Sequence, residues 1–198
     1  MTYAIFGDIH SSVQDLEEVL AHIRQHASGA ALIGTGDLFE CTISKKRAPF
    51  ERFERLDEVM IMPDGLLDLL DFPSVMGNQE ERIAMITESD EPLLEKIRKM
   101  PDRLEIGGAE VIHGHQWTWG GDPWTPTFPE ETGDLVFYGH SHESGLYIDG
   151  EPIDIGFGVP YDTGKGRTFV NVGPVVGNRE WVLYDPKAKT VTFRKVID

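Results

Sequence analysis

Five short apolar runs in this chain end in the same way, and that repetition narrows the folds open to it. Tyr3-Ala4-Ile5-Phe6 leads into Gly7-Asp8-Ile9-His10, Ala31-Leu32-Ile33 leads through Gly34-Thr35 into Gly36-Asp37, and Ser74-Val75-Met76 leads into Gly77-Asn78. Val111-Ile112 continues as His113-Gly114-His115, and Leu135-Val136-Phe137-Tyr138 as Gly139-His140-Ser141-His142. Each run is bounded by glycine or a polar residue and is too short for a helix, so each predicts a buried strand. The residue types that can bind a metal follow the strands, at their carboxyl ends.

Helical patterns fill several gaps. Leu16, Val19, Leu20 and Ile23 recur on one helical face after Ser11 and Gln14, whose spacing resembles a capping box. The segments from Phe50 to Met60 and from Pro92 to Met100 also read as helices. Strands separated by helices imply parallel pairings, and in such sheets ligands gather beyond the carboxyl ends of the strands. The last third changes pattern. Leu146-Tyr147-Ile148 and Ile153-Asp154-Ile155 flank the turn signal Asp149-Gly150, and Trp181 to Tyr184 and Val191 to Val196 flank Asp185-Pro186. These predict antiparallel strands closing a second sheet. With 198 residues and 40% apolar content the chain can bury one proper core, so the expected architecture is α/β, two packed sheets with helices outside, as a single domain over residues 1–198.

Charge and cysteine count exclude several classes of function. A formal charge of −16 repels a polyphosphate backbone, so long nucleic acid is not an expected partner. The one basic cluster, Lys45-Lys46-Arg47, lies in a charge-mixed segment and reads as a solvated face. The opening MTYAIFGDIH has no basic leader, and no apolar run reaches bilayer length, so a soluble, cytoplasmic protein without a membrane partner is expected. The single cysteine, Cys41, reads as a buried thiol and leaves His, Asp, Glu and Asn as the available metal ligands.

Taken singly, a His or Asp after a strand is usually a turn former or a cap. The set is what points to a site. In extended backbone, residues i and i+2 face the same side, so Asp8 with His10, and His140 with His142, could each present two donors to one volume. Four imidazoles, two carboxylates and the Asn78 amide then converge at one sheet edge. Such donors without thiolate suit Mn, Fe, Zn, Co or Ni. Seven ligands are too many for one tetrahedral ion; they suit two ions sharing a carboxylate, an arrangement that activates hydroxide for in-line displacement at phosphorus.

The motifs GDIH, GD, GNQE, HGH and GHSH, in that order, resemble the signature of the calcineurin-like metallophosphoesterase superfamily. The tail RTFVNVGPVVGNREWVLYD resembles the small bacterial and archaeal phosphodiesterase branch. The resemblance implies a four-layer α/β/β/α sandwich of two mixed sheets flanked by helices. It implies one metal on Asp8, His10, Asp37 and His142, and a second on Asp37, Asn78, His113 and His140, with Asp37 as the bridge. Manganese is favoured, and Fe, Zn, Ni or Co are compatible. Asp37 and Asn78 would take part in catalysis.

Two departures shape the substrate expectation. Many members carry His after the asparagine as a general acid, whereas this chain has Gln79, which can hydrogen-bond phosphate but gives no proton near neutral pH. Small phosphodiesters, nucleotide-derived ones included, are therefore favoured; His115 reads either as a hydrogen-bonded histidine supporting a ligand or as a substitute acid. The text after Asp37, GDLFECTISKKR, lacks the pattern of the family's Ser/Thr protein phosphatases. Dinucleoside polyphosphate or nucleotide hydrolysis is a second reading, and a non-catalytic binding scaffold on the same fold a third. The stretch from His115 to Asp134 reads as an irregular loop whose Trp117 and Trp119 either pin it by burial, form a contact in a homo-oligomer, or stack against an aromatic substrate. Asn171 reads as a turn cap that could hold a site loop in place.

Overall fold

The computed structural model describes residues 1–121 and 124–197. The chain begins with β1 (Tyr3–Phe6), α1 (Val13–His26), β2 (Ala31–Gly34) and β3 (Glu40–Cys41). Two single 3-10 turns follow, at Ala48–Phe50 and Leu56–Glu58, then β4 (Met60–Ile61), α2 (Leu66–Leu69), α3 (Asn78–Ile86) and α4 (Pro92–Arg98). The remainder is β5 (Arg103–Ile106), β6 (Ala109–Ile112), β7 (Thr118–Gly120), β8 (Thr125–Thr127), β9 (Leu135–Tyr138), β10 (Ser144–Ile148) and β11 (Glu151–Ile153). It closes with β12 (Pro160–Asp162), β13 (Thr168–Val172), β14 (Glu180–Asp185) and β15 (Thr190–Lys195).

Two mixed sheets carry the fold. One runs β12-β15-β14-β1-β2, and the other β11-β10-β13-β9-β6-β5. Parallel pairing occurs between β1 and β2 in the first, and at β13-β9 and β9-β6 in the second. Strand alternation sorts the side chains into three apolar clusters. Ile5, Val111, Phe137, Val170, Val182 and Phe193 meet between the sheets. Ala4, Phe6 and Trp181 face outward from the first sheet, against Leu16, Val19 and Ile23 of α1 and, further along, Ile83 of α3 and Ile97 of α4. Outward from the second sheet, Ile112, Val136, Tyr138 and Phe169 pack against Trp117, Trp119 and Phe128. No helix among the described residues is long and apolar enough to cross a membrane.

The mixed α/β sandwich stands as expected, while several local expectations do not. Val75 and Met76 form no strand; the segment pairs with the first sheet through the bridge between Gly34 and Ser74, and Val75 packs into the core between the sheets. No helix spans residues 50–60, because tertiary pairing takes its backbone groups: Phe53 bridges to Thr87, and Met60 pairs with Cys41. The expected capping box does not form at α1, where no N-cap side chain accepts from a backbone amide. Ser12 is the N-cap and its hydroxyl donates to Asp15, whereas the Ser11 hydroxyl donates to the Ile61 carbonyl. The two C-terminal hairpins divide between the sheets, with β10-β11 in one and β14-β15 in the other. The stretch after His115 is not wholly irregular, since Trp119 pairs with Pro126 in the β7-β8 hairpin; Asp122 and Pro123 lie outside the described residues. Cys41 is buried and free, as expected.

Candidate metal centre

The carboxyl ends of β1 and β2 in one sheet, and of β6 and β9 in the other, open at the same edge of the sandwich. Here the chain leaves the extended state. Asp8, His10, Asp37, His140 and His142 all have positive φ, between 48° and 73°. Non-glycine residues hold this left-handed region only where surrounding bonds over-determine it. Those bonds are present: the Asp8 amide donates to the Gly36 carbonyl, and the Ile9 and His10 amides both donate to the Asp37 carbonyl. The turn at His140 and His142 therefore does not aim both rings at one volume, as extended backbone would have done, but sends them to different partners.

Two groups of donors result. Asp8, His10 and His142 form one, and Asp37, His113 and His140 the other, with the ligand atoms of each within 4.8 Å of one another. Asn78, the first residue of α3, adds its Oδ1 at 3.2 Å from His113 Nε2. All seven residues expected from sequence are brought together. Asp8 and His113 are fully buried and Asp37 nearly so, whereas His142 is open to solvent.

The donor chemistry fits divalent cations. His113 Nδ1 lies 2.8 Å from the Thr35 carbonyl, an acceptor, so Nδ1 carries the proton and Nε2 offers a lone pair. That lone pair faces Asn78 Oδ1 and, at 3.4 Å, Asp37 Oδ2, so three acceptors converge on one point. His10 repeats the arrangement. Its Nδ1 lies 2.5 Å from Glu40 Oε2, and its Nε2 faces His142 Nε2 at 3.1 Å and Asp37 Oδ2 at 3.6 Å. A carboxylate or carbonyl behind each ligating imidazole is the usual way to fix its tautomer toward a metal.

Without metal, protons compensate part of this charge. Burial works to lower the His113 pKa, but Asp37 and Asp8 beside it lift it to about 9. Burial likewise works to raise Asp37, yet His113 holds its carboxyl below the usual carboxylate range. Asp8 is raised, chiefly by burial. Burial, followed by the charge on His113, pushes His140 down to about 3.

The supports of the site are where sequence reasoning falls short. Glu80, fully buried, accepts from the amides of Asp37 (2.9 Å), Gly77 (2.9 Å) and Phe39 (3.0 Å), binding the Asp37 turn to the start of α3. Its spacing three residues after the N-cap Gly77 is a capping-box signal that could have singled it out. Gly77 is required by close approach, since a Cβ there would stand 2.2 Å from Asp37 Oδ1. Glu40 carries no such local signal. Asn171 donates to the hydroxyl of Ser141, between the two histidines, and so holds the GHSH turn.

Three residues with expected substrate roles need correction or qualification. The Gln79 side chain is turned into the protein, its Oε1 accepting from the Cys41 amide, so it does not face a substrate. Trp117 is buried against Tyr138, Phe128 and Phe169 and serves as core, because its ring covers the second sheet. Trp119 is tied to the Gly114 carbonyl by its indole N–H and stands 5.5 Å, centroid to centroid, from the His140 ring, with the more exposed Trp124 beside it. His115 lines an open cleft of about 430 Å³ together with Asn78 and His140, outside both donor groups.

The family model for the calcineurin-like phosphoesterase superfamily domain matches residues 1–185. Among solved structures, a metallophosphoesterase from Sphaerobacter thermophilus is 20% identical with a TM-score of 0.66, and the match covers 100% of this chain and 89% of that one. An archaeal phosphodiesterase is 15% identical with a TM-score of 0.50, covering 99% of this chain and 100% of the other. No curated protein matches the chain.

Proposed function

Because the chain belongs to the calcineurin-like phosphoesterase superfamily, we propose that it is a metal-dependent hydrolase of small phosphodiesters, with Asp37 shared between two divalent ions. The position of Asp37 Oδ2 carries this reading. It stands 3.6 Å from His10 Nε2 and 3.4 Å from His113 Nε2, so one oxygen reaches both donor groups. Divalent ions at such a site supply positive charge that polarises a phosphoryl oxygen and acidifies a water. Manganese suits the mixture of imidazole, carboxylate and amide oxygen, and Fe, Zn, Ni or Co accept the same donors.

The protein's own part is positioning. Glu40 and the Thr35 carbonyl orient His10 and His113, and Glu80 holds the backbone of Asp37, so the donors need no rearrangement when substrate arrives. The preference for diesters rests on the side chain after Asn78. Gln79 has no proton to give and is committed to Cys41, which disfavours monoesters with poor leaving groups. His115, an imidazole in the adjoining cleft, is then the group placed to hydrogen-bond a leaving oxygen.

The test is the ratio of kcat/KM for bis(p-nitrophenyl) phosphate to that for p-nitrophenyl phosphate on Mn-loaded protein. A ratio above one supports the diesterase reading; a ratio below one rejects it in favour of a monoesterase. Failure to cleave either ester with metal bound would favour a scaffold.

A further inference from the structure

The cleft beside Asn78 and His140 contains two cations that the proposed hydrolysis does not use. It lies between the segment after β3 and the outer face of α3, and Lys45, Arg82, Glu81 and His115 line it with those two metal-centre residues. In a chain with 34 acidic and 18 basic residues, most cations could be expected to find a carboxylate. The arginines that follow in the same segment do: Arg47 pairs with Glu51, Arg52 with Glu88 and Arg55 with Asp57. Among the described residues, neither Lys45 nor Arg82 has one. Arg82 is held by neutral acceptors instead, the Ile43 carbonyl at 3.2 Å and Gln79 Oε1 at 3.4 Å. The cleft's own acid, Glu81, is turned to His115 at 3.4 Å.

We infer that this cleft is a subsite for a second anionic group of the substrate, a phosphate held by Lys45 and Arg82 while the scissile phosphoester lies at the metal centre. Arg82 is the fixed half, its guanidinium tethered through one nitrogen and free to present the others; Lys45 is exposed and closes from the opposite wall. Against a net charge of −16, a local pair of unpaired cations is also what lets a doubly charged substrate enter. The inference rests on the phosphodiesterase reading for the scissile group and narrows its substrates to diesters bearing a further phosphate, such as a nucleotide diester with a second, terminal phosphate.

Two readouts separate the subsite from the chemistry. The first is calorimetric titration of Mn-loaded protein with thymidine 3′,5′-bisphosphate and with thymidine 5′-monophosphate, for wild type and Lys45→Glu. The expected wild-type preference for the bisphosphate is about fivefold, the size of a solvent-screened ion pair, and it disappears or reverses in Lys45→Glu. Equal binding of the two by wild type, or a preference that survives Lys45→Glu, overturns the subsite. The second readout is kcat/KM for the p-nitrophenyl ester of thymidine 5′-phosphate with and without a 3′-phosphate, where the same ratio falls to about one in Lys45→Ala. A charge-dependent preference in titration with no hydrolysis of either ester would support the subsite and reject the phosphodiesterase reading.

Discussion

Replacing Glu80 by Gln tests how the protein holds Asp37, the aspartate proposed to be shared between two ions. Glu80 is fully buried, and in the metal-free protein burial and then the Asp37 charge raise its pKa from 4.5 to about 7. An acid whose folded pKa is raised takes up protons on folding, so its contribution to stability is fully present below about pH 4.5 and is lost as pH rises through about 7. The shift corresponds to about 3 kcal/mol, most of it lost between pH 5 and pH 8. Glutamine does not titrate. Urea unfolding of both metal-free proteins at pH 5 and pH 8 is therefore expected to show wild type losing about 2–3 kcal/mol more than Glu80→Gln over that interval. The difference between the proteins removes the titrations of groups distant from Glu80 and leaves that of Glu80 together with the response of Asp37 and His113, whose charges act on it. The substitution also has a cost that does not depend on pH, because an amide NH2 must face at least one of the three amides now bonded to the carboxylate. Divalent ions beside Asp37 would reverse the local field, so the pH-dependent difference should shrink after metal loading. Parallel pH profiles for the two metal-free proteins would refute the reasoning, since Glu80 would then titrate in the folded chain as it does unfolded.

Other substitutions address the remaining parts of the site. Asp37→Asn should lower diesterase activity at least about 100-fold with the fold intact by circular dichroism, and retained activity at equal metal content would overturn the role of that carboxylate. Glu40→Ala leaves His10 Nδ1 without its partner and should weaken metal affinity about 10–100-fold in chelator competition; unchanged affinity would mean that Glu40 does not orient the ring. Trp117→Ala should cost about 3–5 kcal/mol in chemical denaturation, the loss expected for a buried indole, and a neutral effect would return Trp117 to the surface.

The fold and the candidate metal donors were legible because each is written locally. A β-rich run, a glycine and a polar residue occupy consecutive positions, and all seven donors read from that pattern converge. What was not legible depends on partners distant in the chain. The separation of His140 from His142 follows from positive φ at both, which the Asn171–Ser141 hydrogen bond helps to hold and no spacing of apolar residues announces. Glu40 lies thirty residues from His10 and looks like one acid among many. The stretch around Phe53 has helical spacing, but its backbone bonds go to Ile86 and Glu88 instead. Trp117 and Trp119 sit two residues apart in an aromatic-rich segment, and only the packing distinguishes the one that covers a sheet from the one that stands beside His140.

The most direct measurement is diesterase activity followed together with bound metal as Mn is added stepwise to metal-stripped protein. If Asp37 joins two ions, activity should stay low through the first equivalent, rise with the second, and level off at about two ions per chain. Full activity at one ion per chain, or activity indifferent to metal, would contradict a shared carboxylate at the centre of the site.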